Sequence, residues 1–315
     1  MMRMKIAFIG IGSIARRHLE NLISCLKEQG RDYQLDVVRS GRGAEIDNAL
    51  ASEISNYYVY KEKIPSDYDV IFITNPTALH YEAIQLYAAS ARSMFIEKPV
   101  FGDTAVDLEQ LRPKKDGIYY VACPLRYTNV IQYLKNNVNC SEVFSARAIC
   151  SSYLPDWRTG IDYRTTYSAQ KKLGGGVSID LIHEWDYITY LFGFPEKVVN
   201  MNGTYSKLEI DSEDCSVYIA KNSSMLYELH LDYFGRKRMR QIELFMENET
   251  VVGDLERSEI RFLRSGETIS FNEQRNDFQK REIRHFLDIL DGVEENDSSI
   301  QNALEVLKIA QGEED

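Results

Sequence analysis

No apolar run in the chain approaches the roughly 18 to 20 residues that would span a bilayer, so a membrane-spanning helix is excluded and a soluble protein is expected. Cysteine is sparse: Cys25, Cys123, Cys140, Cys150 and Cys215 are odd in number, widely spaced, without a CxxC pair and without a secretory leader ahead of them. That usage argues against a disulfide framework and a zinc site, and for a reducing, cytoplasmic compartment. Basic residues are also short, with 37 Lys and Arg against 48 Asp and Glu and a net charge of −11. The surface as a whole therefore repels nucleic acid and anionic membrane, which leaves only local basic pockets for phosphates. Internal repeats and low-complexity tracts are absent as well.

What is present is enough apolar material, 44% of 315 residues, for sizeable cores at a length where two domains are the better expectation. The stretch from Lys5 to Glu20 organises the first of them. A short apolar run, Lys5-Ile-Ala-Phe-Ile9, breaks at Gly10 and Gly12 and passes directly into helical periodicity through Leu19, Leu22, Ile23 and Leu26. Gly10, Gly12 and then Ala15 fit the GxGxxG/A fingerprint, whose small residues allow a tight turn and let a pyrophosphate approach the backbone. The amides of Ser13 and Ile14 then open a helix whose dipole attracts phosphate.

A second strand at Tyr33 to Val38 runs into Arg39-Ser-Gly-Arg42 with no carboxylate at its tip. An acidic residue there would bind the ribose 2′-hydroxyl of NAD, whereas arginine accommodates a 2′-phosphate, so the segment favours NADP, with Arg39, Ser40 and Arg42 as the clamp. Asp69 to Thr74 is a continuous apolar run, as expected of a central parallel strand, and ends in Asn75-Pro76 with His80 in the helix behind. Ser93 to Ile96 is another, ending in Glu97-Lys98-Pro99. Strands alternating with helices predict a doubly wound parallel sheet, whose ligands sit at the strands' carboxyl ends. Gly10, Arg39, Asn75 and Glu97-Lys98 all fall there.

The chain from Cys123-Pro-Leu-Arg126-Tyr127 onward reads as an α+β domain. A strand begins at Val143, and a long loop, 153–172, is rich in Tyr, Trp and Arg, which suit sugar rings and anionic groups. One helix is expected from Val177 to Phe192, followed by strands near 197–208, 213–221, 225–234, 240–249 and 259–264 in a mostly antiparallel sheet with one open face. Helices at 278–290 and 298–310 close the sequence. The expected fold class is thus α/β, with a Rossmann domain at 1–122 and a substrate-binding and oligomerisation domain at 123–315, its last helices, about 278–310, packing back on the first.

In order along the chain, the GxGxxA turn, Thr74-Asn-Pro76 with His80, Glu97-Lys98-Pro99, and Gly174-Gly-Gly176 leading to Asp180 and His183 resemble the Gfo/Idh/MocA oxidoreductase family over nearly its full length. The resemblance implies that Lys98 sits beside nicotinamide and substrate, that Thr74, Asn75, Pro76, His80 and Glu97 line the cofactor groove, and that the open sheet forms a homodimer or homotetramer. It also implies that Arg126, Tyr153, Trp157, Arg158, Tyr163 and Glu184 meet the substrate. The segment from Ser152 to the glycine triplet looks like the branch associated with bacterial surface-polysaccharide and nonulosonic acid sugars. In the family the histidine commonly follows the aspartate by four residues. Here His183 follows Asp180 by three, Glu184 holds the fourth place, and His183-Glu-Trp-Asp186 keeps the downstream spacing. On one unbroken helix all three of Asp180, His183 and Glu184 would share a face.

The chemistry so implied is hydride transfer between NAD(P) and a secondary alcohol or ketone of a sugar, without a metal. Lys98 and His183, the latter oriented by Asp180, are the candidate proton carriers. His18, His230 and His285 lack such company and read as structural. A glycoside lyase or hydrolase working through transient oxidation, and a non-catalytic cofactor-gated regulator, are the alternatives.

Overall fold

A computed structural model describes residues 3–41 and 46–312, so Arg42 lies outside the described residues. Among them no helix is long and apolar enough to cross a membrane. The chain divides into two units, residues 1–122 with 279–304 and residues 123–278 with 305–315.

The first unit begins β1 (Met4–Ile9), α1 (Ser13–Glu28), β2 (Tyr33–Arg39), α2 (Asn48–Ala51), β3 (Ile54–Val59), β4 (Tyr68–Ile73), α3 (His80–Tyr87), β5 (Ala91–Ile96) and β6 (Tyr119–Val121). The strands form one parallel sheet in the order β3-β2-β1-β4-β5-β6. The last four residues of β1, β4 and β5 are buried without alternation, as strands covered on both faces must be. Phe8, Phe72 and Phe95 stack across one face of the sheet at 4.4 and 4.9 Å between centroids.

The second unit carries α4 (Asn129–Asn137), β7 (Val143–Tyr153), α5 (Val177–Asp180), α6 (His183–Phe192), β8 (Lys197–Gly203), β9 (Cys215–Lys221), β10 (Leu226–Asp232), β11 (Phe234–Met246), β12 (Thr250–Asp254), β13 (Glu259–Phe262) and β14 (Thr268–Ser270). The sheet order is β14-β13-β12-β11-β7-β10-β9-β8, antiparallel except where β7 and β10 run parallel. Its inner face buries Ala146, Ala148, Tyr218, Tyr227, Leu229, Leu231, Ile242 and Leu244. Gly253 lets α4 approach closely, since a Cβ there would meet Val130 Cγ1 at 2.8 Å.

Two helices close the chain, α7 (Asp277–Leu290) and α8 (Ile300–Gln311). Within the first unit, Phe286 of α7 meets Phe72, Phe95 and Tyr120 at 6.0, 5.2 and 5.4 Å. Lys280 and Arg284 bind Glu28 at the end of α1, holding its carboxyl down at about 2.

The architecture is that of the expected α/β class, with several local differences. The helix expected over Val177 to Phe192 is broken at Leu181 and Ile182, where Leu181 takes φ −100 and ψ 27. The strand expected at 240–249 begins earlier and stops sooner, as β11, and is followed by the separate strand β12. Between Phe234 and Met239, β11 bulges against β7, which advances only from Tyr153 back to Ser151 over the same interval. Periodicity is blind to such an inserted loop because the residues on either side keep their own alternation.

Candidate active site

In the first unit the site is built at the carboxyl ends of β1, β2, β4 and β5. Gly10 has φ +89, and a Cβ on it would lie 2.8 Å from Asn75 Cα, so the β1 and β4 turns touch through backbone. Only glycine satisfies both conditions. The Thr74 hydroxyl seals this junction by donating to the carbonyls of Ile9 at 3.2 Å and Gly10 at 3.0 Å. Gly12 is different, since among the described residues nothing beyond its chain neighbours lies within 4 Å of where its Cβ would be. Among the described residues no side chain caps the start of α1, and its first turn holds no acid. Open backbone at Gly12, with the amides of Ser13 and Ile14 behind it, fits a diphosphate at this helix end.

Arg39 ends β2 and Ser40 follows it. Asp36 is fully buried in the strand, where its carboxylate accepts from Tyr68 at 2.6 Å and from Asn56 at 2.8 Å. That commitment leaves it out of reach of a ribose. Pro76 precedes a short helical turn that leads into α3. His80 is 1% exposed: its Nδ1 faces the carbonyls of Pro99 and Val100 at 3.1 and 3.2 Å, and its Nε2 that of Asn75 at 2.9 Å. It lies beneath the two loops and ties them together. Burial outweighs the pull of Asn75, Glu97 and the other carbonyls and holds its pKa below the usual histidine value.

This has a measurable consequence. A folded histidine that resists protonation makes the unfolded state the tighter proton binder, so stability falls as pH drops below about 6.5, by up to about 1.4 kcal/mol per pH unit. Thermal melts between pH 8 and 5 should show that decline, and His80→Gln should flatten it. An unchanged slope in the variant would remove His80 as its source.

Glu97 and Lys98 follow β5, with Glu97 buried and Lys98 half-buried. Burial pushes the Glu97 carboxyl up, but His18, Lys98 and His80 pull harder and leave it below its usual value.

In the second unit Asp180 ends α5 and accepts the Tyr233 hydroxyl at 2.5 Å. The Trp157 ring stands edge-on to Tyr233 at 5.3 Å. Arg158 lies over the Tyr167 ring at 5.5 Å, and Arg236, from the bulge of β11, over Tyr153 at 3.8 Å. Burial and the Asp180 carboxylate both hold the Tyr167 hydroxyl well above the usual phenol value. Tyr163 accepts the amide of Glu209 and joins Leu154, Trp157 and Arg158 around a small pocket. Aromatic faces carrying stacked guanidinium groups suit a ring bearing an anionic substituent.

The three residues after His183 are each held in a different direction. Glu184 is fully buried, with Arg240 Nε 2.8 Å from its Oε1, and burial raises its carboxyl despite that cation. Trp185 packs edge-on against Tyr218 at 5.3 Å. Asp186 takes a two-pronged ion pair from Arg126, at 3.0 and 2.6 Å, and the Arg126 guanidinium also lies over Tyr190 at 5.0 Å. Arg126 and Glu184 are thus both engaged in ion pairs inside the unit. Between Asp180 and Glu184 the helix is interrupted at Leu181 and Ile182. His183 itself opens α6 and is half-buried.

The sequence reading leaves His18 as structural and assigns no role to Tyr233, Arg236 or Arg240. The run Arg236-Lys-Arg-Met-Arg240 was the available signal, since five residues with four cations are conspicuous in a chain of net charge −11. Nothing local marks His18 or Tyr233, whose partners are 79 and 53 residues away.

Residues 4–122 match the sequence model of an oxidoreductase family with an NAD-binding Rossmann fold, the Gfo/Idh/MocA family. A curated relative, the uncharacterized oxidoreductase YrbE of Bacillus subtilis (strain 168), is 24% identical over 255 residues, covering 73% of this chain and 70% of that one. Among solved structures, levoglucosan dehydrogenase in complex with NADH is similar with a TM-score of 0.82 at 16% identity, over 99% of this chain and 96% of that one. The UDP-N-acetylglucosamine 3-dehydrogenase GnnA from Acidithiobacillus ferrooxidans is similar with a TM-score of 0.70 at 17% identity, over 99% and 97%. At these identities the structural likeness is one of fold.

Proposed function

We propose that this chain, whose residues 4–122 match the model of the NAD-binding Gfo/Idh/MocA oxidoreductases, transfers hydride between a nicotinamide cofactor and a secondary alcohol or ketone of a sugar derivative. The observation that carries the reading is the sharing of one sheet edge by the open Gly12 turn and the Glu97-Lys98 turn. A dinucleotide on that edge would be held by the α1 amides and flanked by Asn75 and Pro76, and the nicotinamide would supply the hydride chemistry. Lys98, and in the second unit His183, are the candidate carriers of the hydroxyl proton. Asp180 hydrogen-bonds Tyr233 and so anchors the aromatic wall that the reading assigns to the substrate.

Arg158 and Arg236 support an anionic sugar, such as a sugar acid or a nucleotide sugar of surface-glycan synthesis. The likeness to a nucleotide-sugar dehydrogenase is in keeping with it. Arg39 and Ser40 at the tip of β2, with Asp36 withdrawn into the strand, support NADP as the preferred cofactor. Five free thiols fit a cytoplasmic protein. On the outer sheet face Val199, Met201, Ile219 and Leu226 are 50, 70, 46 and 40% exposed, and this face is assigned to a homodimer or homotetramer, to be read by light scattering.

The test is a panel of free sugars, sugar acids and nucleotide sugars assayed with NAD and NADP for the absorbance of reduced cofactor. Net reduction with an acidic or nucleotide sugar is the expected result. Product without net reduction would indicate a lyase or hydrolase cycle, and binding without turnover a regulator. Removing Arg39 and Arg42 together should weaken NADP by about tenfold or more while sparing NAD. An unchanged preference would withdraw the arginines from the argument.

A further inference from the structure

Glu97 stands at the carboxyl end of β5 with its carboxylate divided between two donors. Its Oε1 accepts from His18 Nε2 on α1, and its Oε2 accepts the backbone amide of Lys98 at 3.1 Å. His18 is 1% exposed and lies among aromatic rings, 4.9 Å from Phe95 and 6.4 Å from Phe72 between centroids. Its other ring nitrogen, Nδ1, is buried without a hydrogen-bond partner among the described residues. On the far side of the same turn, the His80 ring holds the carbonyls of Pro99 and Val100. The backbone from Glu97 to Val100 is therefore gripped by two buried imidazoles, while the side chain of Lys98 is the member left half-exposed.

The arrangement is costly. A buried carboxylate and an unpartnered ring nitrogen both lose hydration, and a leucine at position 18 would bury itself beside Phe72 and Phe95 without either penalty. The other inward residues of α1 are largely of that apolar kind, Ala15, Leu19, Leu22 and Ile23 among them. What the couple supplies is a defined turn and a local charge. Glu97 is an anion beside Lys98, and the groups facing it are His18, Lys98 and His80.

We propose that His18 is a positioning residue for Lys98, fixing through the Glu97 carboxylate the backbone turn from which the lysine side chain departs. The inference rests on the reading of Lys98 as a proton carrier. Because α1 also presents the open turn at Gly12, one helix bears both the phosphate end of the cofactor site and the brace of its lysine.

Two variants of His18 test this. His18→Leu removes the donor and leaves the carboxylate uncompensated beside Lys98, which favours the ammonium form. His18→Gln keeps an N–H that can reach Glu97. The substrate-independent readout is carbamylation of Lys98 by cyanate as a function of pH, followed by peptide mass spectrometry. H18L should move the midpoint up by about one pH unit and H18Q should return it towards wild type. With a substrate from the panel, H18L should lower kcat by roughly ten- to a hundredfold at a cofactor Kd within about threefold, and H18Q should recover most of it. A folded H18L with the wild-type cyanate profile and kcat, or an H18Q no better than H18L, would overturn the proposal. Should H18L fail to fold, E97Q decides: it keeps an oxygen for the Lys98 amide but not the charge, and a downward midpoint shift is expected, an unmoved one being contrary. A wild-type protein inactive on every substrate would defeat the functional reading, while the cyanate arm would still decide this one.

Discussion

Replacing Lys98 by methionine is expected to lower kcat by about 10²- to 10⁴-fold, the span that general acid–base groups contribute, with cofactor Kd changed less than about threefold. The separation of the two quantities is the point of the experiment. The contacts that shape the dinucleotide turn lie elsewhere, at Gly10, Gly12, Thr74 and Asn75, and methionine conserves the length and apolar stem of lysine while removing the amine. Lys98 is attached to its surroundings through a backbone amide bound to Glu97, which the substitution leaves in place. Cofactor titration by fluorescence and steady-state kinetics on a substrate from the panel give the two numbers. Retention of wild-type kcat would remove Lys98 from the chemistry and with it the proposed role of His18.

Arg126→Leu should destabilise the second unit by about 3–5 kcal/mol, because it strands the Asp186 carboxylate in a largely buried place. Arg126 is 4% exposed, makes two bonds to Asp186 and lies over Tyr190, so the loss combines a buried ion pair with a cation–π contact. In thermal melts the transition should fall by roughly 10 °C for a unit of this size. The double variant Arg126→Leu with Asp186→Leu should recover more than half of the loss, since the unpaired charge is then gone. A single variant costing under about 1 kcal/mol, or a double variant worse than the single, would contradict the account. The pair also matters for His183, because Asp186 secures the first turn of the helix that histidine opens.

Much of the first unit was readable along the chain. The apolar runs that became β1, β4 and β5 are uninterrupted because both faces of a parallel strand are covered. Glycine at position 10 reports a backbone need that is local in sequence, although its cause, the approach of Asn75, is not. In the second unit the apolar pattern from Val177 to Phe192 suggested one helix, and periodicity carries no information about a break that preserves burial on both sides. Glu184 reads as one more polar residue near the histidine until Arg240 is brought beside it across the sheet.

In the first unit the succession of strands and helices, the Gly10 to Ala15 turn and the placing of Asn75 and Glu97-Lys98 at strand ends follow from the residues alone, because these depend on local periodicity and on backbone conformations that particular residues permit. Tertiary structure alone decided which polar side chains are engaged inside the protein. Arg126 with Asp186, Glu184 with Arg240, Asp180 with Tyr233 and His18 with Glu97 are pairings across dozens of residues, set by sheet register and helix packing. A buried charge must find its partner wherever the fold delivers one, so its role is legible only once the chain has closed upon it.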